Sequence, residues 1–416
     1  YITIAADLGN SEAQYKLGLI YSDPKSGYFD FSKSYHYMQL SAENKNIEAL
    51  KRMGEFSLYQ QGNIDAAINY YSVAAEQNDV KSYGMLGFIY INFTNDTNKG
   101  LHYLNLAAAQ KDIDSLKFLG SFYVSKNYGP IDVPRSIHYF RLAAAEGDAE
   151  ALLNLGLIYY KGEGIKKDIR KAMKYLEEAS ELGDARSASL LGITYLEGKY
   201  VNKNIELAFL YFSRAAEKRY PEAQNYLGII YYEHMKDVDK AIHYFTLAAN
   251  QNYKNAQYHL GMIYLHKKPV DIKRSLYYLM LSIQESPKPN FLNKNIDCSE
   301  FPVYKRCTDS FLILGCLYHL GRHVKKDVKK AISFYKEASS LNNQYAKNNL
   351  GVIYKIGDGV NKNLSTAIEY FKEAVEKSDV LSMYNLASLY FFENYNNFDF
   401  DVNKSEENND NTNNDN

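Results

Sequence analysis

The sequence predicts an all-α, right-handed superhelical α-solenoid of about eleven two-helix repeats. Three observations predict it. First, the pattern Leu-Gly-x-x-Tyr recurs along the chain, as Leu17-Gly18 to Tyr21, Leu155-Gly156 to Tyr159 and Leu350-Gly351 to Tyr354. With degenerate copies at Met53-Gly54 and Leu386-Ala387, the anchors fall at 18, 54, 87, 120, 156, 192, 228, 261, 315, 351 and 387. Steps of 33 or 36 residues, broken once by a step of 54, are the signature of a helical repeat array. Second, a small residue opens a further element, as in Ala172-Met173-Lys174-Tyr175, and precedes the next anchor by 20 residues in nearly every copy. Third, the distance from an anchor to its own second element varies, at 13, 14 or 16. A constant junction is set by packing between repeats, whereas a variable one is a solvent-facing turn.

Helix A, which carries the anchor, follows from side-chain period. Ala or Ser stands five residues before every anchor, for example Ala13, Ala49, Ala151, Ser187, Ala223 and Ala346. With the Leu before the anchor and the Tyr three after it, this makes an i, i+4, i+8 stripe, one buried helix face. Glycine in a helix interior costs up to about 1 kcal/mol. Gly156, Gly192 and Gly228 are therefore read as structural, at points where helix backbones meet. Gly162, Gly198, Gly321 and Gly357, six after their anchors, read as helix A C-caps.

Helix B begins at a polar cap. Asp or Asn stands four before each small residue, at Asp30, Asn63, Asp96, Asp132, Asp168, Asn204, Asp237, Asp271, Asp327 and Asn363, and reads as the N-cap. Gly9, Gly147 and Gly183 end helix B, with Asn78, Asn252 and Asn342 in the same slot. Asn is the usual substitute for Gly in a left-handed cap.

These units resemble the Sel-one-like repeat, a relative of the tetratricopeptide repeat with a longer A-to-B loop. Ala151 to Tyr175 follows its pattern closely, including Gly162-Glu163-Gly164-Ile165 and Asp168, as does Ala346 to Tyr370 with Gly357-Asp358-Gly359-Val360. The resemblance covers roughly residues 1–392. It implies a non-catalytic scaffold or adaptor whose partners are other proteins or peptides along the concave face. The repeat number and the break in period resemble the lumenal adaptors of the endoplasmic-reticulum ubiquitin-ligase complex that removes misfolded proteins. A cytosolic scaffold or activator of the same repeat class is the alternative, so endoplasmic-reticulum lumen and cytoplasm both stay open. Members of the class assigned β-lactam binding or hydrolysis carry a cysteine pair in most repeats, and this chain does not.

The expected organisation is a leading half repeat plus eight repeats over 1–284, an inserted linker or loop over 285–304, three repeats over 305–392 and an acidic, Asn-rich disordered tail over 393–416. Pro287, Pro289 and Pro302 break helices in the insertion. Tyr1 already occupies a helix B slot and Asp401-Val402-Asn403-Lys404-Ser405 resembles a helix B start, which reads as a segment of a longer protein. Net charge is −1 and points to no nucleic-acid partner, and no apolar run reaches membrane-span length. The three cysteines, Cys298, Cys307 and Cys316, are too few for a disulfide scaffold, although Cys298 and Cys307 could pair across a short loop.

Catalytic and cofactor signatures are missing from the sequence, including H-E-x-x-H, G-x-x-x-x-G-K-[ST] and G-x-S-x-G. No cofactor or metal is expected. His36, His102, His138 and His243 share a polar slot and read as surface residues. Of the sequons, Asn92 and Asn95 are the better glycosylation candidates because they sit in an A-to-B loop. The positive candidate is a partner-binding groove along helix A. Positions three before and four after the anchor lie off the buried stripe and vary in chemistry. Tyr160, Asn225, Tyr232 and Tyr258 are its expected contacts.

Overall fold

A computed structural model describes residues 1–284 and 303–391. The described residues form helices and turns, with no strand among them. The A helices are α2 (Ser11–Ser22), α4 (Ile47–Tyr59), α6 (Val80–Asn92), α8 (Ile113–Phe122), α10 (Ala149–Lys161), α12 (Ala185–Glu197), α14 (Pro221–Glu233), α16 (Lys254–His266), α18 (Val303–Leu320), α20 (Gln344–Ile356) and α22 (380–391). The B helices are α1 (Ile2–Asp7), α3 (Phe31–Glu43), α5 (Ile64–Ala75), α7 (Thr97–Ala109), α9 (Val133–Ala145), α11 (Ile169–Glu181), α13 (Ile205–Glu217), α15 (Val238–Ala249), α17 (Ile272–Ile283), α19 (Val328–Ser340) and α21 (Leu364–Val375). Every anchor lies inside an A helix, so the chain is an α-solenoid of two-helix repeats. It divides into two compact units, Tyr1–Arg214 and Ala215–Asn416, with the boundary inside α13. Of the expected 285–304 insertion only 303 and 304 fall among the described residues, as the start of α18. The 393–416 tail and Cys298, one half of the expected Cys298–Cys307 pair, lie outside them.

Most helices start at a side-chain cap, whereas α1, α14 and α16 follow Tyr1, Tyr220 and Tyr253 with no side-chain cap bond. All ten expected helix B caps, Asp168 and Asp327 among them, accept from the backbone N–H three residues on, at 2.9–3.1 Å. A second series went unread in the sequence. Asn10, Asn46, Asp79, Asp112, Asp148, Asp184 and Asn343, eight before their anchors, cap the A helices in the same way. The caps also close the A-to-B loops. The Asp168 N–H donates to the Tyr159 carbonyl and the Asp327 N–H to that of Tyr318, at 3.0 and 2.9 Å. Fixing both loop ends in this way lets the loop between them vary in length.

The B-to-A turn needs one left-handed residue. Gly9, Gly147, Gly183, Asn78, Asn252 and Asn342 all have positive φ. So do Lys45, Lys111, Arg219 and Ser378 in the same slot, at φ of 59, 62, 59 and 61°. Tertiary packing holds those four against their local preference.

The core repeats as well. The Leu before the anchor is fully buried at Leu86, Leu119, Leu155, Leu191, Leu227, Leu260, Leu314 and Leu350, and half-buried at Leu386 in the last copy. Helix B contributes a small residue, a large one four later and another small one seven later, as in Ala172, Leu176 and Ala179. The large residue answers the anchor glycine. A Cβ at Gly156 would stand 2.8 Å from the Leu176 side chain, at Gly192 2.7 Å from the Phe212 ring and at Gly228 2.7 Å from the Phe245 ring. The expectation of backbone meeting backbone is therefore corrected. The glycine makes room for a bulky helix B side chain, and at Gly87 the Gly100 carbonyl oxygen also comes within 3 Å.

Candidate protein-binding face

In unit 1, the helix A positions off the buried stripe carry a run of ion pairs. Lys51 Nζ on α4 lies 2.7 Å from Glu48 and 3.6 Å from Asp79. Lys81 on α6 lies 2.7 Å from Asp112 and 2.9 Å from Asp114. Lys117 on α8 lies 3.3 Å from Asp148 and 3.0 Å from Glu150. Asp79, Asp112 and Asp148 are each the N-cap of the next A helix. A lysine placed there neutralises the cap carboxylate and ties neighbouring repeats together. Burial pushes the Asp112 carboxyl up, but the Lys81 ammonium and the Ser115 donors outweigh it and hold the group below the usual range.

In unit 2 the same slots mix amides with charged groups, and Lys355 Nζ donates to Ser388 Oγ at 2.9 Å. Asn348 Oδ1 accepts from Ser382 Oγ and Asn385 Nδ2, both at 3.0 Å. His319 Nε2 stands 3.2 Å from Asp358 Oδ2.

The four expected contacts do not share one environment. Tyr232 is exposed, at 42 %. Tyr160 is half-buried, its ring edge-on to Tyr200 at 5.5 Å with Lys167 5.3 Å above it, and burial raises its phenol above the usual value. Tyr258 is half-buried against the core around Leu279, Leu314 and Leu317. Asn225 is only 1 % exposed, which corrects the expectation that it faces solvent. In its repeat, the position three before the anchor is closed over by neighbouring side chains. Asn92 and Asn95 are both exposed, but Asn92 Nδ2 donates to the Phe88 carbonyl and its Oδ1 accepts from Tyr128, each at 2.9 Å.

Much of the tyrosine content has a structural use that the sequence reading missed. The helix A tyrosine three after the anchor stacks on a helix B tyrosine. Examples are Tyr123–Tyr139, Tyr159–Tyr175 and Tyr195–Tyr211, with ring centres 5.8 Å apart. A basic residue three after the helix B cap lies over the pair, as Arg135 over Tyr123 at 5.4 Å and Lys171 over Tyr159 at 5.3 Å. The same Lys171 pairs with cap Asp168 at 3.6 Å. Cap, cation and two rings form one motif that locks several of the A-to-B corners, although Ala66, Leu207 and Thr366 replace the cation at three of them. The regular recurrence of Asp-x-x-Lys/Arg beside the two tyrosine slots was the signal available for it.

A cavity of ≈ 490 Å³ opens on the unit 1 face, between α4, α6 and α8. Gly84 occupies the slot filled by Lys51 and Lys117 in the flanking repeats, and it supplies the space. Among the described residues no group of three or more His, Cys, Asp or Glu could hold a metal ion. No helix there is long and apolar enough to cross a membrane.

Comparison with known proteins agrees with the repeat reading. The Sel1 repeat family model matches ten segments: 11–46, 47–79, 93–112, 116–148, 149–184, 185–220, 221–253, 254–282, 312–343 and 344–379. Among solved structures, a protective antigen of uropathogenic Escherichia coli displaying an SLR fold is similar, with 20 % identity, 93 % of this chain and 89 % of that one covered and a TM-score of 0.54. A Sel1 repeat protein from Oxalobacter formigenes is similar at 22 % identity, 77 % and 90 % coverage and a TM-score of 0.59. At these identities the likeness speaks to fold. No curated protein matches the chain.

Proposed function

Because the chain belongs to the Sel1 repeat family, we propose that it is a non-catalytic adaptor that holds a partner polypeptide along its helix A face. Sel1 repeat proteins generally act as protein-interaction scaffolds. The observation that carries the reading is the contrast between slots. The small residue five before the anchor is buried in every copy, and the Leu or Met before it in all but the last. The positions three before and four after it change from charged and polar residues such as Lys51, Tyr232 and Lys355 to buried apolar ones such as Leu58, Ile91 and Leu153. Variation beside a fixed scaffold suits recognition. Tyr232 and Tyr160 are its aromatic contacts, with Tyr258 contributing its exposed part. Tyrosine offers contact area and a hydrogen-bonding tip at small entropic cost.

The finer assignment is an adaptor in endoplasmic-reticulum-associated degradation of misfolded proteins. It is supported by the repeat number and by the break in period after residue 284. A cytosolic scaffold of the same class predicts the other compartment, so localisation of the tagged full-length protein separates the two.

The direct test is a pull-down. Tyr232→Ala should weaken capture of the partner and leave the melting temperature within about 1 °C, as expected for an exposed side chain. Tyr231→Ala, which removes a ring stacked 5.4 Å from Tyr244, should lower the melting temperature instead. Full capture by Tyr232→Ala, repeated with Tyr160→Ala, would place the partner elsewhere.

A further inference from the structure

We infer that the cavity at Gly84 is a socket for a tyrosine side chain of the partner polypeptide, with Tyr71 as its hydrogen-bonding floor. The inference rests on the adaptor reading and deepens it, by naming one group that the helix A face selects.

Part of the wall is apolar, inside a charged rim. Met85, Phe88, Leu104 and Phe118 line the cavity, and the Phe88 and Phe118 rings meet edge-to-face at 5.9 Å. An aromatic ring fills such a space, because edge-to-face and offset contacts suit its charge distribution.

The floor is polar and unmet. Tyr71 lines the cavity at 1 % exposure, and its hydroxyl has no hydrogen-bond partner. Packing does not require that hydroxyl. The equivalent side chain is Phe140, Phe212, Phe245 or Phe371 in other repeats, each packed on its anchor glycine as Tyr71 packs on Gly54. Tyr335, the other tyrosine in this slot, donates to Cys316 Sγ at 3.4 Å. A buried hydroxyl without a partner is costly, so an incoming polar tip gains by meeting it.

Charge selects a neutral tip. Lys51 and Lys81 are already held by carboxylates at 2.7 Å. A phosphate or carboxylate entering the cavity would face Glu48, Glu55, Asp112 and Asp114, and an ammonium would face Lys51, Arg52 and Lys81. A phenol carries a donor and an acceptor but no charge. Arg52 and Glu55 stay without an opposite charge within 4 Å among the described residues. They stand three apart on α4, at the cavity, where a guanidinium can donate to a peptide carbonyl and a carboxylate can accept from a peptide N–H.

The test uses the full chain with methyl-labelled methionine, reading the Met85 resonance while N-acetyl-tyrosinamide, N-acetyl-phenylalaninamide and N-acetyl-phosphotyrosinamide are titrated in turn. The tyrosine compound should shift Met85 saturably and bind roughly fivefold tighter than the phenylalanine one, the gain of one net hydrogen bond. The phosphorylated compound should bind worst. Tyr71→Phe, which keeps the packing shape, should abolish the preference for tyrosine over phenylalanine. Gly84→Leu should abolish binding of both. Its Cβ would approach Ser115 Oγ to 2.8 Å, so Tyr71→Phe is the variant that decides if Gly84→Leu unfolds. Equal binding of the tyrosine and phenylalanine compounds, tighter binding of the phosphorylated one, or no saturable shift would overturn the socket. The adaptor reading survives those results, because Tyr232 in unit 2 reports on it separately.

Discussion

Gly156→Ala is the sharpest test of how the repeat is built. On an exposed helix the change would stabilise by up to about 1 kcal/mol. Here the new Cβ would sit 2.8 Å from both Leu176 Cγ and Cδ2, against an ordinary contact beginning at 3.4 Å. Leu176 is fully buried among Leu153, Met173 and Leu191 and has nowhere to retreat. Overpacking of this kind costs ~1–3 kcal/mol. Set against the propensity gain, the net effect is a loss of ~1–2 kcal/mol. Leu176→Ala alone should cost ~2–5 kcal/mol by leaving a cavity. In that background Gly156→Ala should become stabilising, because the clash is gone and the methyl fills part of the void. A double-mutant cycle by chemical denaturation measures the change of sign. If Gly156→Ala has the same effect in both backgrounds, the glycine is not there to admit Leu176.

Three further outcomes follow from the same geometry. Asp168→Ala removes the bond to the Lys171 N–H and should cost ~1 kcal/mol in thermal or denaturant unfolding. Lys166→Ala is its control, because Lys167 reaches Tyr200 Oη at 2.9 Å and is not neutral. Arg219→Gly should stabilise by about 0.5–1 kcal/mol, since Arg219 sits at φ 59°. The Asp112 carboxyl is held low in the folded state, so the stability it contributes is complete above the ordinary aspartate value of 3.8 and is lost as pH falls through its folded value. Asp112→Asn should therefore cost about 0.5–1 kcal/mol at neutral pH, small because Lys81 is 58 % exposed, and the gap to wild type should close as the pH falls below the ordinary aspartate range.

The period made the fold legible, because each repeat meets the same packing demands and answers them with the same residue types. Helix pairing, the helix B caps and the left-handed glycines and asparagines could be read directly. What stayed hidden depends on partners distant in sequence. The anchor glycine faces a side chain about 20 residues away, as Gly156 faces Leu176, so the sequence alone could not say whether backbone or side chain approached. Lys45, Lys111, Arg219 and Ser378 take left-handed backbone that their residue types disfavour, and only the turn around them shows why. The binding face was less legible. Asn225 and Tyr232 both lie off the buried stripe by spacing, yet one is enclosed and the other exposed. Helical spacing gives the direction of a side chain, while neighbouring repeats decide how far it is covered. Gly84, which opens a cavity by having no side chain, gives no positive signal at all.

The central claim is that the partner lies along helix A. Site-specific photo-crosslinking measures this most directly, with a photoreactive amino acid replacing exposed Tyr232 on α14 in one sample and exposed His243 on α15 in another. The account predicts a partner crosslink from position 232 and little from position 243. A strong crosslink from 243 with none from 232 would contradict it and place the partner on the B helices.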